Sequence, residues 1–283
     1  MNILHLFSDW KWTGPAEPTL SLCENLTNEG INVTLAYRKT PEEFRERTVE
    51  KEIMKRNIKS YDGFRLNRYF SFGDWLHDIF AIRAYVKQNG IDIVHTHLSH
   101  DYLTAVVSLL LMNERPLIVR SDHKRDGMPS NIFMSWAMSH TDGIVSYSKR
   151  IMEQDIAKFS FPVEKTCVIP PGISAYTGTI KDMREEFGLD KDALVAGVIG
   201  RLKPDRGYDT ILKAFKIVKK QIENSKLVIV GRSSQIEKSI KKPIAELGLE
   251  DDVKLAGYRV DDYFSMIAMF DIFIMMRAGS DGS

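Results

Sequence analysis

The sequence contains few cysteines, which argues against a disulfide-stabilised protein and against a cysteine-ligated metal site. Its 283 residues include two cysteines, Cys23 and Cys167, which provide neither a disulfide framework nor the spacing of a metal site. We expect both to be buried packing residues in a reducing compartment.

The sequence also has almost no net charge and no long apolar stretch. Lys and Arg number 39 against 38 Asp and Glu, a formal charge of +1, so no overall field attracts nucleic acid or an anionic membrane. The N-terminus lacks a basic leader, and nowhere does a run of about 18 apolar residues occur. We therefore expect a cytoplasmic protein without a nucleic-acid partner, and leave contact with a membrane surface open.

What the sequence does have is regular alternation of short apolar runs with helical periodicity, which is typical of a doubly wound parallel sheet. Between two such runs, Trp75–Gln88 keeps a helical spacing, with Asp74 as its expected N-cap and Asn89-Gly90 as its end. The predicted strands of this first series are Ile3–Phe7, Val33–Tyr37, Ile91–His95, Leu117–Val119, Gly143–Ser146 and Thr166–Ile169.

The pattern breaks at Ile169-Pro170-Pro171-Gly172, where we place a domain boundary, giving domains 1–172 and 173–283. A second series of strands and helices follows, so we expect an α/β protein with two facing Rossmann-like domains. Because the chain stops soon after its last predicted strand, we expect the C-terminal domain to be incomplete. The predicted strands of the second series are Leu194–Ile199, Leu227–Val230, Val253–Ala256 and Ile272–Met276.

Ligands of open α/β sheets lie beyond the carboxyl ends of the strands, so the residues after each apolar run are the candidates. Gly200 and Arg201 end one strand, and Arg206-Gly207 precede the helix Tyr208–Ile222. A helix N-terminus with two arginines suits a diphosphate. Surface arginines paired with Asp205 and Asp209 are the alternative.

Two histidine-bearing segments follow strands of the first series. His95–Asp101 contains three histidines and an aspartate without a known metal spacing, so hydrogen bonding is favoured over a metal. His123 follows Leu117–Val119 and suits hydrogen bonding to a polyol or acid–base work, with an ordinary loop histidine as the alternative.

The loop Ser8–Glu17 follows the first strand. Its single glycine, Gly14, is too weak a signal for a dinucleotide fingerprint, so oxidoreductase chemistry is not supported. Trp10 and Trp12 in this loop suit either stacking on a sugar or plain packing.

These residues together resemble a known family. Gly200-Arg201-Leu202, Arg206-Gly207, Leu212 and Ala214-Phe215 resemble the G-R-L-x-x-x-K-G-x-x-x-L-x-x-A-F signature of the family-4 retaining glycosyltransferases, which have the two-domain GT-B fold. The glycine loop, the H-x-H segment and Val168-Ile169-Pro170-Pro171-Gly172 fall in the family's order, so the resemblance covers the whole chain.

The resemblance implies roles for individual residues. Arg201 and Arg206 would bind the diphosphate of the sugar donor beside Gly200, with Arg206 standing where the family has lysine. His123 would contact the transferred sugar near the reacting centre. Gly14, in a loop where the family has a Gly-Gly pair and this chain has Gly14-Pro15, would lie over the donor. The base would lie near Arg259, and Asp281 stands where the first of two family glutamates is expected.

The activity implied is transfer of a sugar, with retention, from a UDP- or GDP-type nucleotide sugar to a hydroxyl of a glycan or glycolipid in polysaccharide biosynthesis. The resemblance implies no cofactor and no metal, and peripheral contact with the inner face of a membrane. The mildly basic stretch Arg45–Arg68 suits a solvated helix face or a patch facing the acceptor or membrane. A nucleotide-sugar epimerase of the same architecture and a non-catalytic nucleotide-sugar-binding subunit are the alternatives.

Overall fold

A computed structural model divides the chain into two compact units, one within Met1–Ile173 and the other within Ser174–Gly279. It describes residues 1–43, 47–110, 112–123, 127–172, 175–203, 206–259 and 261–276. Each unit is an α/β layer structure built on a parallel sheet, which confirms the predicted fold class.

The first unit is organised around a parallel sheet, of which seven strands lie in the described residues, in the order β3-β2-β1-β4-β5-β6-β7. The order reverses direction at β1, which pairs with both β2 and β4, and this reversal is where doubly wound sheets place their ligands. The strands are β1 (Asn2–Phe7), β2 (Asn32–Tyr37), β3 (Ser60–Tyr61), β4 (Ile93–Thr96), β5 (Leu117–Asp122), β6 (Gly143–Ser146) and β7 (Thr166–Val168).

Helices connect these strands and cover both faces of the sheet. Leu4 and Leu6 of β1 belong to one hydrophobic cluster, while Ile3 and Phe7 belong to another, because successive strand residues point to opposite faces. None of the described helices has the length and apolar character needed to cross a bilayer. The helices are α1 (Ala16–Asn28), α2 (Val49–Lys55), α3 (Phe72–Asn89), α4 (Ser99–Leu110), α5 (Ile132–Met138) and α6 (Lys149–Phe159).

The second unit contains a smaller parallel sheet, with described strands in the order β10-β9-β8-β11. The full-length strand β8 has the predicted bounds, whereas β11 is two residues long instead of five because the ladder with β8 covers only Ile272 and Phe273. The elements are β8 (Leu194–Ile199), α7 (Tyr208–Gln221), β9 (Ser225–Val230), α8 (Lys242–Leu247), β10 (Val253–Gly257), α9 (Tyr263–Ala268) and β11 (Ile272–Phe273).

Two local predictions are wrong. Helix α3 begins one turn earlier than expected, with Ser71 as its N-cap; Asp74 lies in the first turn and accepts hydrogen bonds from Arg65 and Asn67 instead. Cys23 is buried as predicted, but Cys167 is exposed. Among the described strands, its strand β7 is the outermost of the first sheet, so one side of it has no neighbour in the described part of the chain.

Candidate functional site

Four histidines lie at or near the carboxyl ends of three neighbouring strands in the first unit. His5 is in β1, His95 is in β4, His97 follows β4 and His123 follows β5. The β1–β4 ladder places His5 opposite His95. The parallel sheet therefore gathers rings that the sequence separates by up to 118 positions, from residue 5 to residue 123.

Three of these rings form a hydrogen-bonded chain, which we call the histidine chain: His5, His97 and His123. Nδ1 of His5 lies 2.9 Å from Nε2 of His97, and Nδ1 of His97 lies 3.0 Å from Nε2 of His123. His95 stacks on His97 with ring centroids 4.5 Å apart and bonds Ser121 Oγ at 2.8 Å.

The four rings are held neutral. Burial lowers the pKa of His5 and of His97 well below the ordinary value of 6.5. Burial, with the nearby charge of Arg120, lowers the pKa of His95 and of His123 to about 3. Because a buried imidazolium is poorly solvated, each ring remains an uncharged donor and acceptor at neutral pH.

One ring nitrogen each of His5, His95 and His97 lies within 4.8 Å of the others, which brings the metal alternative back into consideration. However, His5 and His97 already bond each other through a ring nitrogen. A divalent ion would also be close to the buried guanidinium of Arg120, whose charge acts on His95 and His97. The geometry favours the hydrogen-bonding alternative over a metal site.

The buried carboxylate of Asp101 fixes two loops beside the histidine chain. Asp101 accepts hydrogen bonds from the backbone amides of Ser8 (3.0 Å), His97 (3.2 Å) and Leu98 (2.9 Å). Its Oδ1 is 3.8 Å from Nη1 of Arg120, and both side chains are at most 1% exposed. Burial raises the pKa of Asp101 to about 6, although Arg120 and the amides lower it. Asp101 thus joins the loops after β1 and β4.

Gly14 lies in the loop between β1 and α1, at the same sheet edge. Its conformation requires no glycine, since an added Cβ would have no neighbour within 4 Å. Trp12 packs against the core beneath that loop, with the guanidinium of Arg47 4.4 Å from its ring centroid. Trp12 therefore fits the packing alternative, while the role of Gly14 stays a prediction.

In the second unit, a glycine ends each of three adjacent strands. Gly200 follows β8, Gly231 follows β9 and Gly257 ends β10. The backbones approach closely there: a Cβ on Gly231, whose φ is +153°, would lie 1.9 Å from the Gly200 carbonyl oxygen. The Gly231 amide donates to the Gly257 carbonyl at 2.8 Å. The result is a backbone surface without side chains, of the kind that phosphates can approach.

Along the chain, Arg201 and Arg206 lie between Gly200, at the end of β8, and helix α7. Arg201 is exposed, and Nε of Arg206 is buried with no hydrogen-bond partner among the described residues. Neither forms an ion pair with Asp209 within the described part of the chain, and Asp205 lies outside that part. Gly207 is the N-cap of α7 in the left-handed conformation, without a side-chain cap, which leaves the amides of this helix end available to an anion.

The remaining predicted site residues of this unit are Arg259 and Asp281. The Arg259 guanidinium bonds the carboxylates of Glu186 and Asp262 and lies 5.3 Å from the Phe187 ring centroid. These ion pairs raise the pKa of Arg259, and a ligand would have to compete with two carboxylates for it. Asp281 lies outside the described residues.

Sequence reasoning missed Gly231-Arg232, although it repeats the Gly200-Arg201 pair at the next strand end. The Arg232 guanidinium lies over the Tyr258 ring, 4.6 Å from its centroid. The backbone carbonyl of Arg232 accepts a hydrogen bond from the Leu202 amide at 3.2 Å. The recurrence of glycine-arginine after an apolar run was the available signal. His5 gave no such signal, because it occurs inside a strand.

Comparison with known proteins supplies a family. Residues 14–175 match the model described as Glycosyltransferase Family 4, and residues 179–278 match that of Glycosyl transferases group 1. The mannosylfructose-phosphate synthase of Agrobacterium fabrum is 27% identical over 122 residues, which are 38% of this chain and 26% of that protein. The match thus spans about a quarter of this relative.

Solved structures share the fold. A glycosyltransferase from Rickettsia africae has a TM-score of 0.76 at 15% identity, covering 97% of this chain and 72% of the other. Anabaena HepE, in complex with UDP and glucose, has a TM-score of 0.67 at 17% identity, covering 97% and 74%. Since its first family match alone covers more than half of its residues, the chain belongs to Glycosyltransferase Family 4.

Proposed function

We propose that the protein transfers a sugar from a nucleotide diphosphate sugar to a hydroxyl group of a glycan or glycolipid, with retention of the anomeric configuration. The observation that carries this proposal is the edge of the second sheet, where Gly200, Gly231 and Gly257 end adjacent strands beside the N-terminus of α7. Membership of a glycosyltransferase family and the fold shared with a protein that binds UDP and glucose support it.

The diphosphate would be the leaving group. During transfer the bond between the anomeric carbon and the diphosphate oxygen breaks, and the acceptor oxygen bonds that carbon on the same face. The acceptor proton passes to the departing diphosphate oxygen. Arg201, Arg206 and the amides at the start of α7 would stabilise the negative charge that develops there. With this charge compensation the transfer requires no metal and no cofactor.

His123 would bind the transferred sugar rather than exchange a proton with it. Its pKa of about 3 makes it a poor base at neutral pH. A neutral imidazole can still donate a hydrogen bond to a sugar hydroxyl. Gly14 and the loop after β1 would lie against the same ligand, and Arg259 and Asp281 remain candidates for binding the base and the sugar.

A glycolipid acceptor would bring the protein to a membrane surface. One face of α3 supports this contact: Phe72, Leu76 and Phe80, spaced four residues apart, are 64%, 41% and 60% exposed. Tyr69 and Phe70 extend this apolar row and are more than 70% exposed. A row of this kind is typical of helices that lie in the headgroup region.

The test uses the donor side, because its chemistry is defined. UDP-glucose, UDP-galactose, UDP-N-acetylglucosamine and GDP-mannose are titrated calorimetrically and then assayed for slow transfer to water, with EDTA present. We expect one donor to bind, and the sugar first released to keep the donor's anomeric configuration by proton NMR. Release of the opposite anomer contradicts retention.

The matched variants are Arg201→Ala and Lys220→Ala, which remove one charge near the start and near the end of α7. Removing a charged hydrogen bond to a diphosphate should weaken donor binding about tenfold or more, whereas Lys220→Ala should leave it unchanged. Equal affinities for the two variants would contradict the diphosphate assignment. Conversion of the donor into an epimer without acceptor would identify an epimerase, and binding without turnover a non-catalytic subunit.

A further inference from the structure

The histidine chain holds a fixed number of protons. Each neutral imidazole carries one N–H and one bare nitrogen, so His5, His97 and His123 share three protons over six nitrogens. Each of the two bonds in the chain needs one N–H and one bare nitrogen. Once the proton of His97 is placed, those of the other two rings follow.

Only two arrangements satisfy both bonds. In the first, all three rings are protonated at Nδ1: His5 donates to His97, His97 donates to His123, and the third N–H is at Nδ1 of His123. In the second, all three are protonated at Nε2, and the third N–H is at Nε2 of His5. The terminal atoms, His5 Nε2 and His123 Nδ1, are both buried without a hydrogen-bond partner among the described residues.

The surroundings of these two atoms differ. The His5 side chain is 0% exposed within the sheet, so an N–H at its Nε2 would stay unsatisfied. His123 Nδ1 is buried as well, but the residue is partly exposed and follows the end of β5, at the end of the sheet where doubly wound folds bind their ligands. Because buried N–H groups without an acceptor are strongly avoided, the first arrangement is favoured.

We infer that His5 and His97 are positioning residues that set the tautomer of His123, so that its Nδ1 carries the proton and donates to an oxygen of the bound sugar. The inference rests on the proposed function for the identity of that ligand. The tautomer of each ring can be measured without that ligand. His5 acts at a distance, since its bond in the chain is to His97 and not to His123.

The test reads the tautomers directly. Long-range proton–nitrogen NMR correlations of the ¹⁵N-labelled protein distinguish Nδ1–H from Nε2–H rings, and the four buried rings are assigned by substituting them one at a time. We expect Nδ1–H signals for His5, His97 and His123 that do not titrate between about pH 5 and 8. Nε2–H signals for the three rings, or titration in that range, would overturn the inference.

Transmission along the chain is tested with His5→Phe, which keeps a ring but removes the donor to His97. His123 should then lose its exclusive Nδ1–H pattern and show a mixture. His5→Asn, whose amide nitrogen can take the place of Nδ1, should restore it, and His77→Gln, at an exposed ring of α3, should not affect it. An unchanged His123 tautomer in folded His5→Phe would refute the positioning role.

The same variants test whether the histidine chain contributes to sugar transfer. His5→Phe should lower kcat/KM for the donor that binds about tenfold, as expected for one hydrogen bond, and His5→Asn should recover most of it. If no nucleotide sugar binds, the proposed function fails while the tautomer measurement still stands. If a donor binds and is transferred at the wild-type rate by His5→Phe, the role of the chain in sugar binding is wrong.

Discussion

Substituting Gly231 with alanine should destabilise the second unit severely. The new Cβ would lie 1.9 Å from the Gly200 carbonyl oxygen and 3.2 Å from Leu202 Cδ2. Relieving the first overlap requires a backbone shift of about 1 Å or more. That shift would disturb the hydrogen bonds from Gly200 to Val230 (3.0 Å) and from Gly231 to Gly257 (2.8 Å).

The cost has two parts. Overpacking costs about 1–3 kcal/mol, and a non-glycine residue at a φ of +153° adds about 1–3 kcal/mol of strain. Together they give a loss of about 2–6 kcal/mol, centred on about 4 kcal/mol. Gly248→Ala is the matched control in the same unit, because its φ is +66° but its Cβ would meet nothing within 4 Å. Its cost should be limited to about 1–2 kcal/mol of backbone strain.

The assay exploits the distribution of tryptophan. All four, at positions 10, 12, 75 and 136, belong to the first unit. In urea titrations, tryptophan fluorescence therefore follows the first unit, and circular dichroism at 222 nm follows both. Gly231→Ala should shift or abolish the dichroism transition of the second unit and leave the fluorescence transition in place. A cost within about 1 kcal/mol of that of Gly248→Ala would refute the steric reasoning.

Two further predictions concern the first unit. The double variant Phe72→Ser/Phe80→Ser should sediment less with vesicles of phosphatidylcholine and phosphatidylglycerol than the unchanged protein, because it removes exposed apolar area. The control is Ile217→Ser, at a 61% exposed position of α7. An equal loss of vesicle binding for both variants would contradict a specific membrane-binding surface on α3. For Asp101, the folded pKa of about 6 exceeds the ordinary 3.8, so the folded state binds the proton more tightly and this group's contribution to stability falls as pH rises from about 4 to 6. The fluorescence-detected unfolding free energy should fall more steeply over that range than in Asp101→Asn, and parallel pH profiles would show that Asp101 does not titrate there.

Local patterns determined much of the fold. The strand Leu194–Ile199 was predicted with its observed bounds, and the helix ending at Asn89-Gly90 has Gly90 as its C-cap with φ +55°. Such features depend on a few neighbouring residues, so one sequence contains them. The predicted start of that helix was wrong because Ser71 and Asp74 are both good caps, and local pattern did not separate them.

The sequence by itself determined the α/β class, the resemblance to a glycosyltransferase family and the order of the strand-end motifs. The tertiary structure decided which of these motifs meet. His5 gave no signal until the β1–β4 ladder placed it opposite His95, and Asp101 became the connector of two loops only through the amides of Ser8 and His97. Strand register brings together residues about ninety positions apart, and register depends on the packing of the whole sheet rather than on any short segment.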